Sequence, residues 1–454
     1  MSIHLRPVTL PDFGTPVERP QIPAATYEAR IRAAYEAAGA DWLVVYADRE
    51  HFANIVFLTG FEPRFEEALL LLGPKGERIV VTGNENLDYV PIAGLPGIEV
   101  RLCQALSLMA QDRSAKPNLP AVLREAGIAK GDHIGLAGWK YLEAAEWDGP
   151  RPTFFVPAYV VDSLAFVVGA AGTLTDATAV LMHPTAGLRA VVDADQIAEA
   201  EWAATRASLA VWRIISGFRL GDDELTAASR MGYAGEPMNC HPMLASGAPD
   251  RPVIGLRSPT ARRPGRGDGI TAAVSFWGGL TARAGLVSDG DDDFVAVASA
   301  YFKGLLAWYE TADIGVEGGA IHDAVVSALA AGGLRSALNP GHLTGHDEWM
   351  HSPIRPGSTE RLASGMPFQI DIIPVPMPAG QALNCEDAVT FADAALRAEI
   401  AARHPAVAAR FEARRGFVRD QIGVDVRPNV LLLSAIPLYL PPLWLAPERI
   451  LTLG

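Results

Sequence analysis

Apolar residues recur at helical spacing over Ala25–Ala38, where Tyr27, Ile31, Ala34 and Tyr35 share one face. The apolar run Asp41–Tyr46 behind it reads as a buried strand. Ile55–Thr59 leads into Gly60. Two strands follow, Ala68–Leu72 and Arg78–Val81, split by the turn Gly73–Gly76. Helix alternating with strand in this way predicts an α/β N-terminal domain. The Gly-, Ala- and Thr-rich stretch Ser163–Leu188 is the expected junction, giving domains over 1–180 and 190–454.

The second half opens on a long periodic helix, Ala194–Ser216, with Ala198, Trp202, Thr205, Leu209 and Trp212 along one stripe and Gly217 and Gly221 as the stop. Further helices are predicted over Asp223–Met231, Asp292–Tyr309 and Ala320–Ala331, and strands over Ile270–Phe276, Pro367–Ile373 and Ala388–Phe391. Two Ala-rich helices, Ala394–Arg403 and Ala406–Arg414, are separated by Pro405. The first twenty residues, rich in proline and polar groups, read as an arm. The proline-broken apolar segment Val430–Leu445 reads as extended chain packed on a surface.

Composition narrows the partners. The chain has 454 residues, enough for two domains and a large core without disulfides. Three scattered cysteines, Cys103, Cys240 and Cys385, form neither a disulfide framework nor a CxxC metal pattern, which fits a reducing cytoplasm. A net charge of −14 gives no long-range attraction for phosphate backbones or anionic lipid, so nucleic acid and membrane surfaces are not expected partners. The N-terminus has no signal-peptide pattern, and no unbroken apolar stretch is long enough to span a bilayer.

Three segments carry candidate chemistry: Asn339–His351 (NPGHLTGHDEWMH), Gly365–Pro374 (GMPFQIDIIP) and Asn384–Val389 (NCEDAV). Alternation in the second places Phe368, Ile370 and Ile372 on one strand face and Gln369, Asp371 and Ile373 on the other. In the third, Glu386 and Asp387 precede an apolar β run. A histidine and two acids on separate elements can converge as metal ligands or as an acid/base set.

The order of these motifs resembles the pita-bread hydrolases, the family of aminopeptidase P, prolidase and creatinase. After the long opening helix come Leu244–Gly247 (LASG), Gly267–Asp268 before a strand, Gly341–His342, Ser364–Met366 (SGM) and Cys385–Asp387 (CED). Phe57–Phe61 (FLTGF) marks the N-terminal half. The resemblance implies a creatinase-type α/β N-terminal domain followed by an α+β pita-bread domain. It implies that His342, Asp371 and Glu386 occupy three of the five positions that hold two divalent ions in the peptidase members. The other two positions fall at or near Ala273 and within Ala282–Ala284, and no carboxylate lies between Asp268 and Asp289. The site pattern is therefore similar to the metal-free creatinase branch.

On that resemblance the expected protein is a metal-independent hydrolase, without cofactor, cleaving a C–N bond of a small amidino or N-substituted amino-acid substrate. His342 or His351 would be the base, with Asp371 and Glu386 holding the cationic group. Arg64, His241, Glu348 and Trp349 are the substrate-binding candidates, Arg64 for a carboxylate and Trp349 or Trp277 as a pocket wall. The position of the family's second histidine is Trp349, so His346 or His351 would have to replace it. Three alternatives remain: a prolidase-like enzyme holding one weak divalent ion at His342, Asp371 and Glu386, a lyase of the same fold, and a ligand-binding protein without turnover. The resemblance also implies a homodimer, for which the proline-rich N-terminus and the tail Ile436–Leu445 are candidate interface segments.

Overall fold

A computed structural model of the chain describes residues 2–454. The chain divides into two compact units, one formed by Ile22–Ala190 and the other by residues 2–21 together with Val191–Gly454. The arm at the start of the chain thus groups with the C-terminal unit. Its strand β1 (Ile3–Pro7) pairs antiparallel with the last strand of the chain.

In the first unit, α1 (Ala24–Ala38) precedes β2 (Trp42–Ala47), the short helix α2 (Ala53–Thr59), β3 (Ala68–Leu72), β4 (Arg78–Thr82) and β5 (Glu99–Leu102). Then come α3 (Leu119–Ala126), β6 (His133–Ala137), α4 (Ala158–Val168), β7 (Thr173–Asp176) and α5 (Thr178–Met182). The six strands form one mixed sheet in the order β5-β4-β3-β2-β6-β7. Alternate residues Trp42, Val44 and Tyr46 join Leu69, Leu71, Ile79 and Val81 on a face covered by Leu119, Val122 and Leu123 of α3 and Val160, Leu164 and Val167 of α4. Each such fully buried aliphatic side chain contributes about 1.5–3 kcal/mol. The stretch expected as a junction, Ser163–Leu188, is folded inside this unit: it supplies the end of α4, all of β7 and α5. Its small residues serve close packing, as at Gly135, where an added Cβ would meet that of Ala177 at 3.2 Å.

The second unit opens on α6 (Ala194–Gly217), capped by Asp193, whose side chain accepts from the Gln196 N–H. Next are α7 (Glu224–Ser229), β8 (Met243–Ser246), β9 (Gly269–Phe276), β10 (Gly279–Leu286), α8 (Asp292–Thr311) and α9 (Gly318–Ala330). The rest comprises β11 (Arg335–Ser336), β12 (His342–Leu343), β13 (Pro367–Ile370), β14 (Pro374–Val375), β15 (Asn384–Phe391), α10 (Ala394–Arg403), α11 (Pro405–Phe417), β16 (Val430–Leu432) and β17 (Arg449–Leu453). The main sheet runs β12-β13-β15-β10-β9-β8, with β16 also on β15, and its pairs are antiparallel. The turn joining β9 to β10 contains Gly278 at φ +88°, and Gly278 and Gly279 lie so close to Ala200 and Ala204 of α6 that any Cβ there would clash. The helix therefore sits directly on the hairpin.

Two expectations change here. The tail expected on a surface is interior: Ile436, Leu440, Leu443 and Trp444 are fully buried within their own unit. Its prolines do not keep it out of the core, because its backbone finds partners: the Ile436 and Tyr439 carbonyls accept from Arg283. Glu386 and Asp387 lie inside an eight-residue strand rather than ahead of it. The ladder to β10, with Ala282 opposite Glu386, extends the strand through polar residues whose own propensity would not.

Candidate active site

The sheet brings His342, Asp371 and Glu386 together. One ligand-capable atom from each lies within 4.8 Å of the others, and all three residues are buried. His342 is on β12, opposite Gln369 of β13, behind Gly341, whose φ of +127° favours glycine. An added Cβ at Gly341 would meet the Gln369 carbonyl at 2.9 Å. Asp371 follows the last residue of β13, which ends three residues short of the predicted Ile373. Glu386 faces the same space from β15.

A third acid joins them. Glu348 Oε1 lies 3.2 Å from His342 Nε2, and Trp349 stacks on the His342 ring at 4.0 Å between centroids, 19° from parallel. The loop after β12 thus presents an acid and an indole to His342. Burial pulls the His342 imidazolium down and the acids Glu348 and Asp371 pull it up, for a net rise above 6.5. Burial and the neighbouring carboxylates push Glu386 well above its ordinary value; burial and Glu348 raise Asp371 against the opposing pull of His342. Asp371 Oδ1 is buried without a hydrogen-bond partner. Among the described residues, no lysine or arginine is in ion-pair contact with Asp371, Glu386 or Glu348.

The other candidates separate. His351 sits beside His342, held by the Leu343 N–H donating to its carbonyl at 2.6 Å. His346 turns away, with Nε2 at 3.2 Å from Glu199 Oε2 on α6. His241 is exposed, its Nε2 3.0 Å from the Leu256 carbonyl and not part of the cluster. Trp277 is buried, as core packing requires, whereas Trp349 is 42% exposed. Arg64 belongs to the first unit, where it donates to the Tyr89 hydroxyl at 2.7 Å and pairs with Glu62. Cys240 was passed over in the sequence as a stray thiol. It lies near Glu348 and Glu386, and burial with these acids lifts it to about 12, so it is no nucleophile at neutral pH.

A two-ion centre does not fit this donor set. One cross-strand row runs Met243, Ala273, Ala282, Glu386. Ala273 and Ala282 pack with Met243 and Leu280 as an apolar cluster, so the same sheet face beside Glu386 offers methyl groups where ligands would be needed. One nitrogen and two carboxylates do match the three protein ligands of a single open ion site.

No family model matches the chain, and no curated protein matches it. Solved structures do. The dipeptidase PepE from Mycobacterium ulcerans is 20% identical, with 82% of this chain and 95% of that one covered at a TM-score of 0.60. An X-Pro aminopeptidase from Thermotoga maritima MSB8 is 16% identical over 81% and 95% of the two chains, TM-score 0.62. A recombinant prolidase from Thermococcus sibiricus is 17% identical over 82% and 95%, TM-score 0.61. With the motif order and the sheet topology, these likenesses show that the chain has the two-domain pita-bread fold of the aminopeptidase P and prolidase structures.

Proposed function

We propose that the protein hydrolyses a C–N bond in a small substrate bearing an amidino or N-substituted amino group, and that it does so without a two-ion centre. The observation that carries this reading is the charge balance: three carboxylates crowd one buried imidazole, and no arginine or lysine is paired with them. Such a group of acids binds protons or a cation. A substrate cation there accepts charge-assisted hydrogen bonds from neither side chain but donates its own N–H groups to Asp371 and Glu386, which also fixes its orientation. His342, oriented by its Nδ1 against the Leu343 carbonyl at 3.2 Å, takes a proton at Nε2 from water as the water oxygen bonds to the substrate carbon. It then returns that proton to the nitrogen as the C–N bond breaks. The bound cation favours this role, because its charge repels a proton on His342 and offsets the pull of the acids.

The test is a screen of amidino compounds, N-substituted amino acids and Xaa-Pro dipeptides in the presence of a chelator. Turnover that survives chelation and is lost in Glu386→Ala supports the proposal. Turnover of Xaa-Pro dipeptides alone, abolished by the chelator, overturns it. That second outcome would support a one-ion peptidase, which the 4.8 Å grouping of His342, Asp371 and Glu386 favours. An ion held there would supply a water of lowered pKa. About one equivalent of a divalent metal in elemental analysis of the purified protein would mark it.

A further inference from the structure

The loop after β12 that lays Glu348 and Trp349 against His342 is tied to the start of the chain through one buried carboxylate. Glu199, in the second turn of α6, is 1% exposed. Its Oε2 accepts from Gln196 Nε2 at 2.8 Å and lies 3.2 Å from His346 Nε2. Its Oε1 accepts from Arg19 Nε at 2.7 Å, a residue 180 positions earlier in the arm. The Arg19 guanidinium lies 4.6 Å over the Trp277 ring, and the His346 ring meets the same indole edge-on at 5.1 Å. Trp277 stands in the turn between β9 and β10. The neighbouring Gly278 N–H donates to the Gly345 carbonyl at 2.7 Å, fastening that turn to the loop.

Glu199 is thus a connector with one oxygen for the arm and one for the loop. Burial alone would raise it, yet Arg19 and His346 hold it at about 2. Without Arg19, the buried charge would depend on His346 and one amide, and breaking one partner of a buried ion pair is costly. The arm has few other side-chain holds here: Trp202 Nε1 donates to the Val17 carbonyl at 3.4 Å, and Arg206 Nη1 to the Pro16 carbonyl at 3.2 Å. Val17 itself is 83% exposed.

We propose that Arg19 is a positioning residue for the cleft: the Arg19–Glu199–His346 latch sets where Glu348 and Trp349 stand over His342. The proposal rests on the functional reading only in taking that wall as part of the working cleft. Its readout needs no substrate, so a protein that turns nothing over would sink the hydrolase reading and leave this result standing.

The experiment is fluorine NMR of the full chain labelled with 5-fluorotryptophan, the Trp277 and Trp349 signals being assigned with Trp277→Phe and Trp349→Phe. Arg19→Gln is expected to shift Trp277, which Arg19 touches, and also to shift or broaden Trp349, which it does not. Glu199→Gln is expected to do the same, and Arg19→Lys, which keeps the cation, to restore most of the Trp349 position. Trp202→Phe loosens the arm without touching Glu199 and is expected to leave Trp349 unmoved. A Trp349 signal at its wild-type position in both Arg19→Gln and Glu199→Gln overturns the proposal. So does a shift spread over all indole signals, because that would report general loosening of the unit.

Discussion

Glu386 and Asp387 are neighbours on β15, both buried, and treated in opposite ways by the two faces of the sheet. On one face Asp387 takes both oxygens to Arg283 Nη2 at 2.9 Å. That fully buried guanidinium also donates to the carbonyls of Ala282, Glu386, Ile436 and Tyr439. On the other face Glu386 meets Asp371 and Glu348, and His342 rather than an arginine or lysine is the group in ion-pair contact there, Arg283 acting on Glu386 only from a distance. The paired charge is satisfied internally and closes a structural core. The unpaired set is satisfied only when something from outside brings a proton or a cation. Burial does not by itself distinguish a structural acid from a functional one; the identity of the partner does.

The largest expected effect breaks the paired side. Arg283→Ala strands Asp387 in the interior and is expected to cost about 3–5 kcal/mol, read as a drop in denaturation midpoint. The second expected effect concerns Glu199, a buried acid whose partners outweigh its burial. Its pKa falls from 4.5 to about 2 on folding, so its contribution is complete above 4.5 and is lost as pH falls through about 2. That is worth about 3 kcal/mol. Urea melts of wild type and Glu199→Gln between neutral pH and pH 2 should converge as the pH drops, and parallel curves would contradict the assignment. Next, Ala282→Asp adds a fourth acid opposite Glu386. It is expected to destabilise by about 2 kcal/mol, and added Mn2+ is expected to raise its melting temperature more than that of wild type. The smallest effect has the opposite sign. Glu386→Gln relieves like-charge crowding and is expected to stabilise by about 1 kcal/mol at neutral pH while abolishing turnover. Because the folded pKa of Glu386 is raised, that gain should shrink as the pH falls from the raised value toward the ordinary carboxyl range, and vanish below it.

Much of the site was legible as an order of motifs. The Gly-His, SGM and CED segments named three residues that do meet, and the carboxylate-free strand pair was visible as GITAAVSFWGGLTARAGLV. What stayed hidden involved partners distant in sequence. The pairing of Arg283 with Asp387 spans 104 positions, and that of Arg19 with Glu199 spans 180. Neither leaves a local spacing to read. In the sequence His346 reads as a replacement for a missing histidine and Trp349 as a pocket wall. Their placements, one against Glu199 of α6 and one stacked on His342, depend on how the loop is folded.

The sequence alone determined which chemistry could be present. Helix and strand periods, the Asp193 and Asp291 caps, the turn at Trp277–Gly278 and the lack of any carboxylate between Asp268 and Asp289 are local facts, encoded residue by residue. Only the tertiary structure decided which buried acids are neutralised. That outcome depends on which strand faces which, and a one-residue shift of β15 against β10 would exchange the surroundings of Glu386 and Asp387.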